Sequence, residues 1–178
     1  VVLGTLNIAD MANKVPQLTG DDVYLAKAGG LLLLVVFALK SALLPLHLWL
    51  PNAYSSATPV VAALFAIMTK VGVYATLRVY TVVFGEQAGE LEHMAQSWLW
   101  ALAIATIVIG AIGVLAAQDL RKLTANLVLV SVGTLVALVA LQNINATAAL
   151  LYYLVHSTLV TAALFLLADL IATQRGKA

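Results

Sequence analysis

An all-α, polytopic bundle of membrane-spanning helices is the fold class this sequence predicts, and three observations predict it. Of 178 residues, 63% are hydrophobic and only 10% charged, and mean hydropathy is +1.02, far from the balance of a soluble domain. The apolar residues fall in about five runs of the length that crosses a ~30 Å hydrocarbon core as a helix. Most charges lie between those runs, but Lys40 and Lys70 sit well inside them.

The same composition excludes several function classes. A net charge of +1 without a long basic run gives no reason to expect a nucleic-acid partner. The absence of cysteine excludes a disulfide framework and thiolate metal sites. No nucleophile with its base, phosphate loop or metal cluster is legible. The expectation is therefore no catalytic residue, no cofactor and no metal, in a chain that catalyses no chemical step. The opening VVLGTLNIAD has neither an initiator Met nor a secretory n-region, so the chain reads as an internal part of a longer polytopic protein.

Taken in order, Val1 to Ala9 reads as the end of an upstream helix. A polar connector with Asp10, Asn13, Lys14 and Pro16 follows, and Asp21 or Asp22 is placed to cap the next helix. The first span covers 23–53 and is broken: a helix from about Val23 to Leu44, then a half-helix from about Pro45 to Ala53. Pro45 and Pro51 remove backbone donors and clash with the preceding turn, which puts the break just after Lys40. Lys27, one turn inside, can snorkel to the interface. Pro59 suits the first position of the second span, 59–84, where its missing N–H is no loss. Lys70 lies eleven residues beyond it, roughly 16 Å along the axis and near the bilayer centre. Arg78 is close enough to the far end to snorkel.

The loop from Gly85 to Gln96, with Glu86, Glu90, Glu92 and His93, reads as solvated. The third span, 98–117, opens with Trp98 and Trp100 at aromatic-belt positions and carries no charge. After the turn Gln118, Asp119, Arg121, Lys122, the fourth span, 123–141, holds Asn126, Ser131, Gly133 and Thr134, residues that commonly let helices approach closely. The fifth, 147–172, carries His156 near half depth, Tyr152 one turn before it on the same face, and an adjacent polar stripe of Tyr153, Ser157 and Thr161.

A primary amine in hydrocarbon is costly, so two such residues on consecutive helices read as a functional site by default. An amine beside an interrupted helix is also how ion-coupled transporters build a midplane site. His156 fits a proton relay, since imidazole both accepts and donates near neutral pH, and equally fits a structural donor. His47, beside the break and Trp49, is the weaker relay candidate. Arg121, Lys122, Arg175 and Lys177 gather on one side and Lys14 alone on the other, so the positive-inside rule makes the first side cytoplasmic.

The string KSALLPLHLWLPNAYSSATPVVAALFAIMTKVGVYATLR closely resembles the core of the proton-conducting membrane subunits shared by respiratory complex I and the Mrp-type multisubunit cation/proton antiporters. GTLNIADMA, NAYSSATPVV and LYYLVHSTLVTAALFLLADLI look most like the D-type subunit of the antiporter. The resemblance spans the chain but covers only a central part of a longer subunit. It implies that Lys40 matches the family lysine at the broken helix, which pairs with a glutamate placed before Val1. Lys70 then matches the central lysine of the next helix, and His156 the histidine that follows the serine-rich helix. Where many members carry histidine or glutamine on that helix, this chain has Ser131, which can bond water but cannot carry a proton as imidazole does.

The implied function is a secondary-transporter subunit moving protons through Lys40, Lys70 and His156, with His47, Ser131, Tyr152 and Ser157 as secondary positions, toward a lysine beyond Ala178. Proximity of the glutamate would decide whether the buried amine holds its proton. Flow would be coupled to Na+ or K+ exchange, with the other antiporter subunits and the lipid bilayer as partners, in the bacterial inner membrane. The alternative is a proton-pumping membrane-arm subunit of complex I or of a membrane-bound hydrogenase. A third reading is a purely structural bundle whose lysines snorkel.

Overall fold

A computed structural model describes residues 2–176. Among them it has seven α-helices and no strand: α1 Ile8–Lys14, α2 Asp21–Ser41, α3 Trp49–Ser56, α4 Pro59–Val82, α5 Gln96–Ala116, α6 Leu120–Leu141 and α7 Ile144–Arg175. Five elements are long and apolar enough to cross a membrane: α2, α4, α5 with the turn before it, α6 and α7. This is the all-α polytopic class that the apolar runs predict.

Several boundaries differ from expectation, each for a local reason. Residues 2–7 are not helical, and part of the expected polar connector is itself the helix α1. Asn7 caps it, its Oδ1 accepting from the Ala9 N–H at 3.0 Å, and Asp10 pairs with Lys14 one turn on at 3.0 Å. Neither Asp21 nor Asp22 caps α2: Gly20 holds the cap position at φ 62°, and both carboxylates fall in the first turn, where they complement the helix dipole. Arg121 and Lys122 belong to the first turn of α6 rather than to the loop before it. Val1 and Lys177 lie outside the described residues.

The expected break after Lys40 is present, and α2 stops at Ser41, four residues before Pro45. α2 ends because Ala42 turns into the left-handed region at φ 57°, its N–H returning to Leu39 O while Leu43 N–H returns to Ala38 O. Leu44 N–H then donates to Thr106 Oγ1 of α5 at 3.0 Å, and Trp49 Nε1 donates to Leu39 O at 3.1 Å. α3 starts at Trp49 instead of Pro45, and Pro51 is its third residue, where a helix needs no donor. The half-helix therefore sits several residues later than the prolines suggest.

α4 lies at the centre, with α2 against one flank and α7 and α6 against others; α5 packs on α6, and α3 wedges against α4 and α6. Tyr80 Oη donates to Gly30 O at 2.6 Å near one end of the α2–α4 contact. Gly72 meets Lys40 and Ser41 at the other, so the two helices are antiparallel. α5 and α6 are antiparallel as well, with Gln96 Nε2 donating to Ala140 O at one end and Gly113 against Asn126 toward the other. Between those points a Cβ on Gly133 would lie 3.0 Å from Ala103 O, a backbone approach that only glycine allows. Asn143 caps α7, its Oδ1 accepting from Ala146 N–H at 2.7 Å.

Candidate functional site

The centre of the bundle holds an amine. Lys70 is the middle residue of α4, on the face that also carries Ala62, Ala66, Val73 and Leu77, and it is 1% exposed. Its Nζ has no hydrogen-bond partner among the described residues; nor have the buried hydroxyls of Thr69, Ser41 and Ser131. Buried polar atoms in folded proteins are satisfied almost without exception, by protein or by ordered water. An amine and three hydroxyls at one level of a membrane bundle therefore mark a place suited to water.

That they share a level follows from the packing. Gly72, two residues from Lys70, packs against the backbone of Lys40 and the side chain of Ser41. Along α4 and α7, Phe65 and Phe165 both pack on the ring of Tyr54 toward one end. Thr81 and Val82 share a cleft with Ile144 and Thr147 at the other. Antiparallel register between those anchors puts Lys70 level with the turn from His156 to Val160. Ser131 is the middle residue of α6, and the Arg121–Asp169 contact sets its register with α7 at the same turn. Lys40, Lys70, Ser131 and Ser157 thus occupy one layer.

The candidates are not equally enclosed. Ser131, Ser157 and Thr161 are each 6% exposed and face the interior. His156 does not: it lies on the outer face of α7, exposed, its ring stacked on Tyr152 at 6.0 Å and 6°. One residue on a helix is a rotation of about 100°, so Ser157, not His156, faces the centre of the described bundle. Lys40 also departs from the expected burial. It is exposed on the outer face of α2, over an open groove of ≈ 500 Å³ with Met68, Val71, Gly72 and Trp49 among its lining residues. His47 is half-buried in the turn between α2 and α3, its Nδ1 enclosed and without a hydrogen-bond partner among the described residues. Lys27 and Arg78 are exposed, as snorkelling side chains would be.

Sequence reading missed Ser41, Thr69, Tyr54 and Thr106. Ser41 and Thr69 each adjoin a singled-out lysine, which was the available signal. Tyr54 is fully buried, its Oη donating to Phe65 O. Thr106 gave only a hydroxyl in an apolar run.

The two ends differ in chemistry. A cleft of ≈ 660 Å³ at one end is lined by Arg121, Lys122, Arg175 and Asp119 with Ser55 and Ser56. Arg121 reaches Asp169 at 3.0 Å. The other end carries Glu86, Gln87 and His93 around a smaller cleft of ≈ 290 Å³. Among the described residues no group of three or more His, Cys, Asp or Glu is arranged to hold a metal.

The chain is 45% identical over 174 residues to a probable K(+)/H(+) antiporter protein of the D-subunit type from Rhizobium meliloti, covering 98% of this chain and 32% of that protein. It is 36% identical over 178 residues to the corresponding Na(+)/H(+) antiporter protein of Bacillus subtilis, covering 99% and 35%. Among solved structures, the Mrp complex from Dietzia sp. DQ12-45-1b matches with a TM-score of 0.78 and 32% identity, over 93% of this chain and 29% of that one. The chain spans about a third of the length of these curated relatives. The family described as NADH:quinone oxidoreductase/Mrp antiporter, transmembrane, matches residues 1–178, and the chain belongs to it.

Proposed function

We propose that this chain is the proton-handling middle of the D-type subunit of a multisubunit Na+ or K+/proton antiporter, a multi-pass protein of the bacterial inner membrane that works with the other subunits. The observation that carries the reading is Lys70: an amine 1% exposed, unpartnered among the described residues, at the centre of the central helix. Such a group is expensive unless it has work to do. Lys40 on one flank and Ser131 and Ser157 on the others extend a polar layer across the bundle at constant depth, which is the geometry for lateral proton movement. Domain extent follows the same reading, with residues 1–178 as one continuous part of the transmembrane domain.

The exposed positions of Lys40 and His156 fit a larger subunit. Both lie on outer faces of the five-span bundle, and the curated relatives are about three times as long. A glutamate-bearing helix over the Lys40 groove would convert it into a buried ion pair, and further helices over α7 would bring His156 inside. His47 and Tyr152 border these two positions. A membrane-arm subunit of a redox complex is the second reading, because the family model is shared between quinone oxidoreductases and antiporters; the relatives named for antiport favour the first.

The test is cation-dependent proton flux in vesicles carrying the whole complex, with Lys70→Ala and Lys40→Ala each compared with wild type at equal assembly. Loss of flux in both is expected. Unchanged flux in Lys70→Ala would leave only a structural bundle.

A further inference from the structure

We propose that the hydroxyls of Ser41 and Thr69 form a proton-carrying step across the α2–α4 contact, between Lys40 and Lys70; this rests on the proton-translocating reading above. Ser41 is the last residue of α2 and is completely buried, and Thr69 is completely buried in α4. Neither hydroxyl has a hydrogen-bond partner among the described residues. Other buried or half-buried threonines of the spans, such as Thr76, Thr106, Thr124 and Thr134, turn back onto the carbonyl four residues earlier. Ser41 and Thr69 do not: Thr69 lies beside the Tyr54 hydroxyl, which already donates to Phe65 O, so capacity remains on both Ser41 and Thr69 for a water.

They are also brought together. A Cβ built on Gly72 would lie 2.5 Å from Ser41 Oγ, 3.1 Å from Ser41 N and 3.3 Å from the carbonyl carbon of Lys40. Ser41 therefore rests directly on Gly72. Thr69 is three residues before Gly72 on the same helix face, where Cβ positions are about 5–6 Å apart. The two hydroxyls do not bond each other among the described residues, and about one turn of α4 separates Thr69 from the Gly72 contact, so a bridging water completes the step. Lys40 borders Gly72 from the open side, and Lys70 follows Thr69 on the face turned to the bundle centre. A path from one amine to the other has to pass α4, and this hydroxyl pair sits where it would pass.

The step is a transfer along hydrogen bonds. A hydroxyl donates one proton while its lone pairs accept another. A proton arriving at Ser41 Oγ forms a new O–H bond as the existing O–H proton passes on to the intervening water, which in turn gives one of its own to Thr69. The same exchange at Thr69 Oγ1 delivers a proton toward a neutral Lys70 amine. Each hydroxyl ends neutral, and the net change is one proton lost by the Lys40 side and gained by Lys70.

Substitution in the whole complex tests this, with flux measured in vesicles as above. Ser41→Ala and Thr69→Val nearly keep volume while deleting the hydroxyl, and each should lower proton flux by about fivefold, the rate equivalent of one lost hydrogen bond. Thr69→Ser, which restores the hydroxyl, should return near wild-type flux. The double variant should be little worse than either single one, because both serve one step. Wild-type flux in Ser41→Ala and Thr69→Val beside an inactive Lys70→Ala would overturn the hydroxyl step and leave the function standing. Wild-type flux in Lys70→Ala as well would overturn the function itself. Loss in Thr69→Val without rescue by Thr69→Ser would assign Thr69 to packing and also refute the step.

Discussion

Gly133→Leu is the substitution that most sharply tests how α5 and α6 are held. A Cβ at position 133 would stand 2.6 Å from Ile107 Cγ1 and 3.0 Å from both Ala103 O and Ile107 N. The side-chain carbon can swing aside, but the two backbone atoms move only if α5 moves. Leucine adds three further carbons beyond the one that already collides. Overpacking of this kind costs up to about 3 kcal/mol, and the better helix propensity of Leu over Gly returns just under about 1 kcal/mol. The net expectation is a loss of about 2 kcal/mol. Denaturation of the purified protein followed by tryptophan fluorescence suits the question, because Trp98 and Trp100 lie at the head of α5. Stability equal to or above wild type would refute the close approach of the two backbones.

Other outcomes follow from the same structure. Thr106→Val leaves the Leu44 N–H without the hydroxyl that holds the broken segment to α5; a cost of about 1–3 kcal/mol in thermal stability is expected. Gln142 ends α6 at φ 48°, so Gln142→Gly should raise stability by about 1 kcal/mol, seen as a higher Tm. Lys14 holds the Asp10 carboxyl below its usual range, chiefly by hydrogen bonding, with Thr5 assisting. A depressed carboxylate supports the fold above its unfolded value of 3.8 and loses that support as pH falls through its folded one. Amide protection in α1, corrected for the slower intrinsic exchange in acid, should therefore fall on acidification below that value, and Asp10→Asn should remove the dependence.

Much of this architecture was legible because hydropathy and depth are linked in a membrane helix. Pro59 fixed where α4 begins, and counting from it placed Lys70 at the centre, where the structure has it. The break after Lys40 was legible as a region but not as a residue: Ala42 in a left-handed conformation carries no sequence signal, whereas the prolines beside it do. α1 escaped notice because a short polar helix has neither the apolar period nor the length on which a reading depends. Facing was the hardest part. α7 is apolar on nearly every side, so nothing in its pattern says whether His156 or Ser157 turns inward; packing against α4 and α6 decides that. Ser41 and Thr69 became visible as a pair only once α2 lay on Gly72.

The central claim is that Lys70 releases and recovers a proton, not merely that a cation stands there. Arginine keeps the positive charge but cannot be deprotonated in a protein. Cation-dependent proton flux in vesicles carrying the assembled complex with Lys70→Arg is therefore the most direct measurement. If the amine carries protons, flux falls as low as in Lys70→Ala; wild-type flux from the arginine variant would contradict it.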